Sequence, residues 1–413
     1  MIDQSAVPEP CQHNVAIPYE HDVVVVGGAG HVGLPLAIAF ASRGLRVSIF
    51  DLNEAAVATI NGGGLPFLEV GALEPLREAL SSGTLSATTD PAVISQGERV
   101  ILVVGTPVDE HLNPDPEAVP RALYKIARHF RDGQMVVLRS TVYPGVTRRV
   151  EAMFARLGLG VDVAFCPERI AEGKAMSELF ELPQLVAARS AEVRQRAASL
   201  FGKLTNSIVE LEPEEAELAK LFTNTWRYIK FAAANQFFMM ANEHGLDYDT
   251  IRRAITYDYP RAVDLPGAGF AAGPCLFKDV MQLAAFSDNN FALGHSAMLV
   301  NEGLPLYLVS RLEEHYDLST MRVGILGVAF KGESDDTRSS LAYKLRRILR
   351  FRAETVLATD PYVTSDQSLL PLEKVLDQAD LLIVAAPHNI YRDLDTMLPV
   401  VDVWNLLGHG TQV

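Results

Sequence analysis

The residues best suited to chemistry lie in one stretch near the middle of the chain. Residues 267–273 read GAGFAAG, Pro274 and Cys275 close the run, and Lys278 and Asp279 follow within four residues. Small residues let a backbone approach a ligand closely, and proline fixes the turn. A cation beside a sulfur favours the thiolate, the form that attacks carbon, so Cys275 reads as a nucleophile. The competing reading is a small buried hydrophobe, the usual fate of a lone cysteine, and the loop alone does not choose between them. A second pair, Lys220 and Asn224, falls one helical turn apart and shares a face. A helical lysine is ordinarily a solvated charge unless a partner site claims it.

The elements that must position these groups follow from periodicity. The run HDVVVV is a β-branched strand that enters a glycine turn and then the helical LPLAIAFASRG. Gly28, Gly30 and Gly33 fit GxGxxG: the first glycine makes the turn, the second admits a pyrophosphate, and the third lets helix and strand pack closely. The next strand ends in Asp51, 18 residues past Gly33. A carboxylate there accepts both ribose hydroxyls of NAD and repels the extra phosphate of NADP, so NAD is the expected cofactor. ERVILVVGTP, QMVVLRSTVYPG, VDVAFCPER and QLVAA continue as strands with helical stretches between them, which argues for a parallel sheet wound on both faces. Ligands of such sheets sit beyond the carboxyl ends of the strands, where Thr106, Thr141 and Glu168 fall.

From Glu212 the pattern changes to a helix without a breaker for roughly 30 residues, started by Pro213 and stopped by Gly245. Its second half is apolar on nearly every side, as in a helix at the centre of a homodimer or higher homo-oligomer. Further helix is expected to about His315, and then a second α/β unit repeats the strand, turn and helix order. Its turn lacks GxGxxG, so it is expected to grip a different phosphorylated ligand, with Lys331 and Arg338 as cations. The expected fold is therefore α/β: two Rossmann-like doubly wound parallel-sheet domains joined by a long central helix and a helical dimerisation region. The expected boundaries are a loose tail (1–21), an NAD-binding domain (22–211), a central helical domain with the cysteine loop (212–315) and a second α/β domain for the other phosphorylated ligand (316–413), which the resemblance described below makes a nucleotide-sugar-binding domain.

Composition removes several function classes. Over 413 residues the formal charge is −15, which disfavours nucleic acid and anionic membrane surfaces as partners. Residues 23–41 are nearly uncharged and long enough to span a bilayer, but their glycines and proline fit strand, turn and buried helix better. Cys11, Cys166 and Cys275 form no disulfide framework, and no basic region followed by an apolar run opens the chain, so a reducing cytoplasm is expected.

The motifs together carry a family resemblance. GxGxxG with Asp51, VGTP at 104–107, RSTVYPG at 139–145, PERIAEG at 167–173, AELAKLFTN at 216–224, CLFKD at 275–279 and FKGESDDTR at 330–338 occur in the order of the UDP-glucose/GDP-mannose 6-dehydrogenase family, which the chain resembles over nearly its whole length. The resemblance implies oxidation of the C6 alcohol of a nucleotide-diphosphate sugar to a carboxylate with two NAD and no metal. It implies Cys275 as the nucleophile, passing through a thiohemiacetal and a thioester, and Lys220 and Asn224 as stabilisers of the C6 oxyanion. Asp279, with Thr141 through a shared water, would take the first proton, and Glu168 would activate the hydrolytic water. His31, Val32, Thr106, Thr141 and Lys331 would join the glycine turn around the cofactor. Glu168, Arg169, Glu172, Lys220, Asn224, Arg261, Gly269, Phe270, Lys278, Phe330, Lys331 and Arg338 would hold the sugar and its phosphates, with Arg261 reaching across a dimer.

Two departures bear on specificity. The common family loop GFGGxCxPKD is here GFAAGPCLFKD, with one extra residue before the cysteine and Phe277 in place of proline. An arginine that often precedes the asparagine near the C-terminus is here Trp404, before Asn405. UDP-glucose is the first expected substrate and a UDP-N-acetylhexosamine the second. A single-oxidation β-hydroxyacid dehydrogenase would need neither the thiol nor the second α/β domain, and a non-catalytic NAD-binding module would leave the polar set unexplained.

Overall fold

The computed structural model describes residues 18–106, 108–109 and 111–413; Cys11, Pro107 and most of the expected N-terminal tail lie outside them. The chain divides into two compact units, one ending at Phe222 and the other running Thr223–Val413.

The first unit contains β1 (His21–Val26), α1 (Gly33–Ser42), β2 (Val47–Phe50), α2 (Glu54–Asn61), α3 (Leu73–Ser81), β3 (Leu85–Thr88), β4 (Gly97–Leu102), α4 (Ala118–Ile126), β5 (Met135–Leu138), α5 (Val146–Arg156), β6 (Asp162–Phe165), α6 (Ala175–Glu181), β7 (Gln184–Ala187), α7 (Ala191–Phe201) and β8 (Ile208–Leu211). It ends within α8 (Pro213–Glu243), whose remainder belongs to the second unit. The sheet order is β3-β2-β1-β4-β5-β6-β7-β8, and its first six strands have the order of a doubly wound dinucleotide fold. HDVVVV is valine at consecutive positions because both faces are covered. Val23 and Val25 join the core built with α1, α3 and α7, whereas Val24 and Val26 join the one built with α4 and α5. Each fully buried valine contributes about 1.5–3 kcal/mol relative to exposure.

Two features differ from the expected parallel sheet. β3 and β8 extend it at its two edges; both are short, β3 alternates apolar and polar residues and β8 carries Glu210 and fully buries none of its residues, so neither carries a buried-strand signature. β7 runs antiparallel to β6, pairing Phe165 with Ala187, because the chain re-enters from the carboxyl edge where β6 ends instead of crossing back over a face.

α8 has clear start and stop signals. Proline at its first position lacks the N–H that a helix start leaves unpaired, Glu215 accepts from the Glu212 N–H at 2.9 Å, and Gly245 (φ 67) takes the left-handed turn that ends the helix. At 1.5 Å per residue α8 is about 46 Å long. Phe222, Trp226, Phe237 and Met240 on it are each about half exposed.

The second unit continues through α9 (Tyr248–Thr256), α10 (Leu276–Phe286), α11 (Ala292–Glu313), β9 (Arg322–Leu326), α12 (Leu341–Leu349), β10 (Thr355–Thr359), α13 (Leu372–Gln378), β11 (Leu381–Val384) and β12 (Val400–Val401). Its sheet is wholly parallel, in the order β10-β9-β11-β12. The helical stretch expected after Cys275 is two helices, broken where Asp288 (φ 50) and Asn289 (φ 58) adopt the left-handed conformation that Asp and Asn tolerate best after glycine. Among the described residues no helix is long and apolar enough to cross a membrane.

Candidate active site

The glycine turn of the first unit fits a dinucleotide. A Cβ on Gly28 would lie 2.8 Å from the Val25 carbonyl oxygen and one on Gly33 2.5 Å from the Gly28 Cα, so both must be glycine; at Gly30 the nearest atom is 4.0 Å away, which leaves a phosphate room to approach. Asp51, just past β2, accepts from the Ala29 N–H (3.0 Å) with one oxygen and from the Asn53 N–H (3.0 Å) with the other. It thereby ties the strand end to the turn, at the position from which an acid reads a ribose. His31 stacks on Phe67 with centroids 4.0 Å apart, and its Nε2 is 3.9 Å from a Glu172 oxygen; Val32 precedes α1. At the carboxyl ends of β4 and β5, the Thr106 hydroxyl donates to the Thr141 carbonyl (2.7 Å), which brings these two predicted residues together.

Glu168 follows β6 and is buried. One of its oxygens is bound by the guanidinium of Arg139, and the other accepts from the N–H groups of Arg169 (2.7 Å) and Ile170 (3.0 Å). Arg139 is fully buried, donates to the Cys166 carbonyl and the Gln184 side chain (both 2.9 Å), and lies 4.8 Å over the Phe201 ring. Arg169 itself reaches the Pro183 carbonyl. Burial pushes the neighbouring Cys166 thiol up to about 12, against the pull of Arg139, so this sulfur stays a neutral thiol. Arg139 was not foreseen as part of the site. The available signal was a charged residue continuing the apolar strand MVVL, which requires a buried counter-ion.

Lys220 is buried on α8, one turn before Asn224. One turn earlier still, buried Glu217 accepts from the Gly145 N–H (2.6 Å), the Thr147 N–H (2.8 Å) and the Thr147 hydroxyl (2.6 Å), which caps α5 with a carboxylate. Burial raises the Glu217 pKa above the ordinary glutamate value, against these hydrogen bonds.

In the second unit Cys275 is exposed and sits at the N-terminus of α10, where its carbonyl accepts from the Asp279 N–H at 3.0 Å. Asp279, one turn on, is fully buried: Asn224 Nδ2 donates to it at 2.6 Å and Lys278 Nζ lies 2.9 Å away. The predicted cysteine, amide, lysine and carboxylate are thus joined through α10 and α8. Gly269 and Phe270 are buried beside Trp404: the Phe270 and Trp404 rings meet edge to face at 6.4 Å, and a Cβ on Gly273 would strike Phe330. The departure at 404 therefore lies against the loop expected to hold the sugar. Arg261 is exposed and donates to the Tyr259 hydroxyl at 3.0 Å.

The 330–338 loop is framed from inside. Lys331 lies 5.7 Å over the Phe330 ring, and Arg338 grips Asp336 with two nitrogens. Glu333 (φ 54) donates its N–H to His388 Nδ1 at 3.0 Å, so this nitrogen is the acceptor and Nε2–H faces Asp360 Oδ2 at 3.1 Å. That Asp360 oxygen also accepts from Val328 and Ala329, the counterpart of Asp51 on Ala29. His388 thus stands against Asp360, the acid at the place in the second unit that Asp51 holds in the first. His388 and Asp360 are 28 residues apart, and nothing local in the sequence pairs them.

Family comparison agrees over nearly the whole chain. Residues 22–205 match the NAD binding domain of the UDP-glucose/GDP-mannose dehydrogenase family, 214–303 its central domain and 324–409 its UDP binding domain. A UDP-N-acetyl-D-mannosamine dehydrogenase of Pyrococcus horikoshii is 32% identical over 389 residues, covering 90% of this chain and 91% of the relative. An NDP-N-acetyl-D-galactosaminuronic acid dehydrogenase of Ralstonia solanacearum is 29% identical, with 92% and 94% covered. The solved structure of a UDP-glucose dehydrogenase from Pyrobaculum islandicum superposes with a TM-score of 0.86 at 29% identity, covering 92% of this chain and 94% of that one.

Proposed function

The chain belongs to the UDP-glucose/GDP-mannose dehydrogenase family, an NAD-dependent oxidoreductase family, and on that premise we propose that it oxidises the C6 alcohol of a UDP-linked N-acetylhexosamine to the carboxylate. The observation that carries the proposal is the exposed Cys275 at the start of α10, one turn from a buried Asp279 that Asn224 and Lys278 hold.

The glycine turn and Asp51 would hold NAD, which would supply the hydride acceptor for both oxidations. Asp279 accepts the proton of the C6 hydroxyl as the alcohol loses its first hydride. Cys275 then adds to the aldehyde: a C–S bond forms, and the carbonyl oxygen, stabilised by Lys220 and Asn224, takes up a proton to give a thiohemiacetal. The N-terminus of α10 favours negative charge on this sulfur. Loss of the second hydride and the hydroxyl proton leaves a thioester. Glu168 activates the water that breaks the C–S bond, releasing the carboxylate and restoring the thiolate. The sulfur supplies what the free aldehyde lacks, a tetrahedral carbon bearing an oxyanion from which the second hydride can leave, and it keeps the intermediate bound.

The sequence alone put UDP-glucose first. The N-acetylhexosamine enzymes among the relatives support the reverse order. UDP-glucose remains a second reading, supported by the structural likeness to the Pyrobaculum islandicum enzyme. The half-exposed apolar residues of α8 support a homodimer built on that helix, and sedimentation of the purified chain tests it. Comparing kcat/KM for UDP-N-acetylmannosamine, other UDP-N-acetylhexosamines and UDP-glucose tests the substrate; a clear preference for UDP-glucose would reverse the assignment.

A further inference from the structure

We infer that Asn235, through a buried pair with Asn301, is a positioning residue that sets the Cys275 thiol in place. The inference rests on the thioester route proposed above. Asn235 is fully buried in the apolar half of α8. Its Oδ1 accepts from the Gly269 N–H at 2.9 Å, and its Nδ2 donates both to the Gly269 carbonyl at 3.0 Å and to Asn301 Oδ1 at 2.9 Å. Asn301, also fully buried on α11, donates in turn to the Tyr228 carbonyl of α8 at 3.1 Å. The amide therefore has one allowed orientation, and it pairs with both backbone groups of a single loop residue, as a neighbouring strand would.

Gly269 is suited to that grip. A Cβ there would lie 2.3 Å from the Trp404 ring, so the backbone passes between the Asn235 amide and the indole, where only glycine fits. Six residues later comes Cys275, and four beyond it Asp279, held by Asn224. Asn224 and Asn235 are eleven residues apart, about three turns, which puts them on one face of α8 roughly 16 Å apart. One rigid helix thus holds the cysteine segment on both sides of the sulfur. A buried amide with every donor and acceptor matched loses the full desolvation cost when a partner is removed, so this clamp tolerates little displacement.

The test uses the full-length enzyme. In Asn235→Ala, hydrogen exchange at the Gly269 amide should accelerate at least about tenfold while the amides of α8 remain protected. The KM for NAD should be unchanged. A displacement of the sulfur near 1 Å should slow the thiol-dependent second oxidation roughly 100-fold, so that free aldehyde, trapped with a hydrazide, appears and NADH per sugar falls from two toward one. A merely structural role would lower the amount of active enzyme without changing that ratio. If Asn235→Ala does not fold, Asn301→Ala leaves the Gly269 pair in place, removes the acceptor that fixes the amide, and should shift the same ratio in the same direction. A folded variant of either kind that makes two NADH per sugar at the wild-type rate, from a wild type that also makes two, overturns the positioning role alone. A wild type that makes only one overturns the thioester reading and this inference with it.

Discussion

Asn224 on α8 donates a 2.6 Å hydrogen bond to Asp279 on α10, and both side chains are buried. A carboxylate with no solvent exposure persists only with partners, and here they are an amide and the Lys278 ammonium. The pairing gives Asp279 one orientation. Asp279→Asn keeps the shape but loses the proton acceptor and the counter-ion of Lys278, so kcat of the folded enzyme should fall about 10²–10⁴-fold, with the melting temperature also lowered. Steady-state kinetics beside a thermal melt separate the two effects, and a kcat within a few-fold of wild type would remove Asp279 from the chemistry.

The two described cysteines should differ sharply in reactivity. Cys166 is buried with its thiol pushed up to about 12, whereas Cys275 is exposed at a helix N-terminus. In a Cys11→Ser background, iodoacetamide at neutral pH should label Cys275, spare Cys166 and abolish turnover in proportion to labelling. Peptide mass mapping reads the site; inactivation that precedes labelling of Cys275 would contradict the assignment.

Arg139 and Glu168 form a buried ion pair whose members are not equivalent. Arg139→Met leaves Glu168 buried beside two backbone N–H groups and without its cation, and should cost about 3–5 kcal/mol in urea unfolding. Glu168→Gln turns an NH2 toward donors and leaves Arg139 without a counter-ion, so it too should lower stability, but in the folded protein it should stall thioester hydrolysis, so that a sugar adduct on the protein becomes visible by intact-mass spectrometry. Absence of any adduct, with normal acid production, would remove Glu168 from the hydrolytic step.

How much of this was legible in the sequence depended on the range of the interaction. β1, the glycine turn, α1 and Asp51 were readable because a doubly covered strand is apolar at every position and the turn demands glycine. α8 was readable from Pro213 to Gly245 because its ends are chemical signals. β3 and β8 were not, since four-residue edge strands with polar or exposed positions leave no buried apolar run; β7 was readable as a strand but its antiparallel direction was not, because that depends on where the chain re-enters the sheet. Cys275, Lys278 and Asp279 stood out because a glycine-rich, proline-fixed loop delivers a sulfur with a cation and a carboxylate within four residues. Arg139 with Glu168, His388 with Asp360 and Asn235 with Asn301 are pairs 28 to 66 residues apart whose only local trace is a polar residue in an apolar run.

The His388–Asp360 pair gives a pH dependence of stability. Burial pushes the Asp360 carboxyl up, but the His388 hydrogen bond and the N–H groups of Tyr362 and Val328 outweigh it, and the folded pKa lies below the ordinary aspartate value. The stability this group contributes is complete above the unfolded value of about 3.9 and is lost as pH falls through the lower folded value. Asp360→Asn should therefore be less stable than wild type at pH 7, by about 1–3 kcal/mol, with the gap closing below about pH 4. Thermal melts of both proteins from pH 7 to pH 3 check this; a gap that widens on acidification would reverse the sign.

The central claim is that one sulfur carries the sugar between two oxidations. Purified protein supplied with excess NAD and a limiting amount of UDP-N-acetylhexosamine or UDP-glucose should form two NADH per sugar consumed, with no aldehyde trapped by a hydrazide. One NADH per sugar, with the aldehyde released into solution, would contradict it.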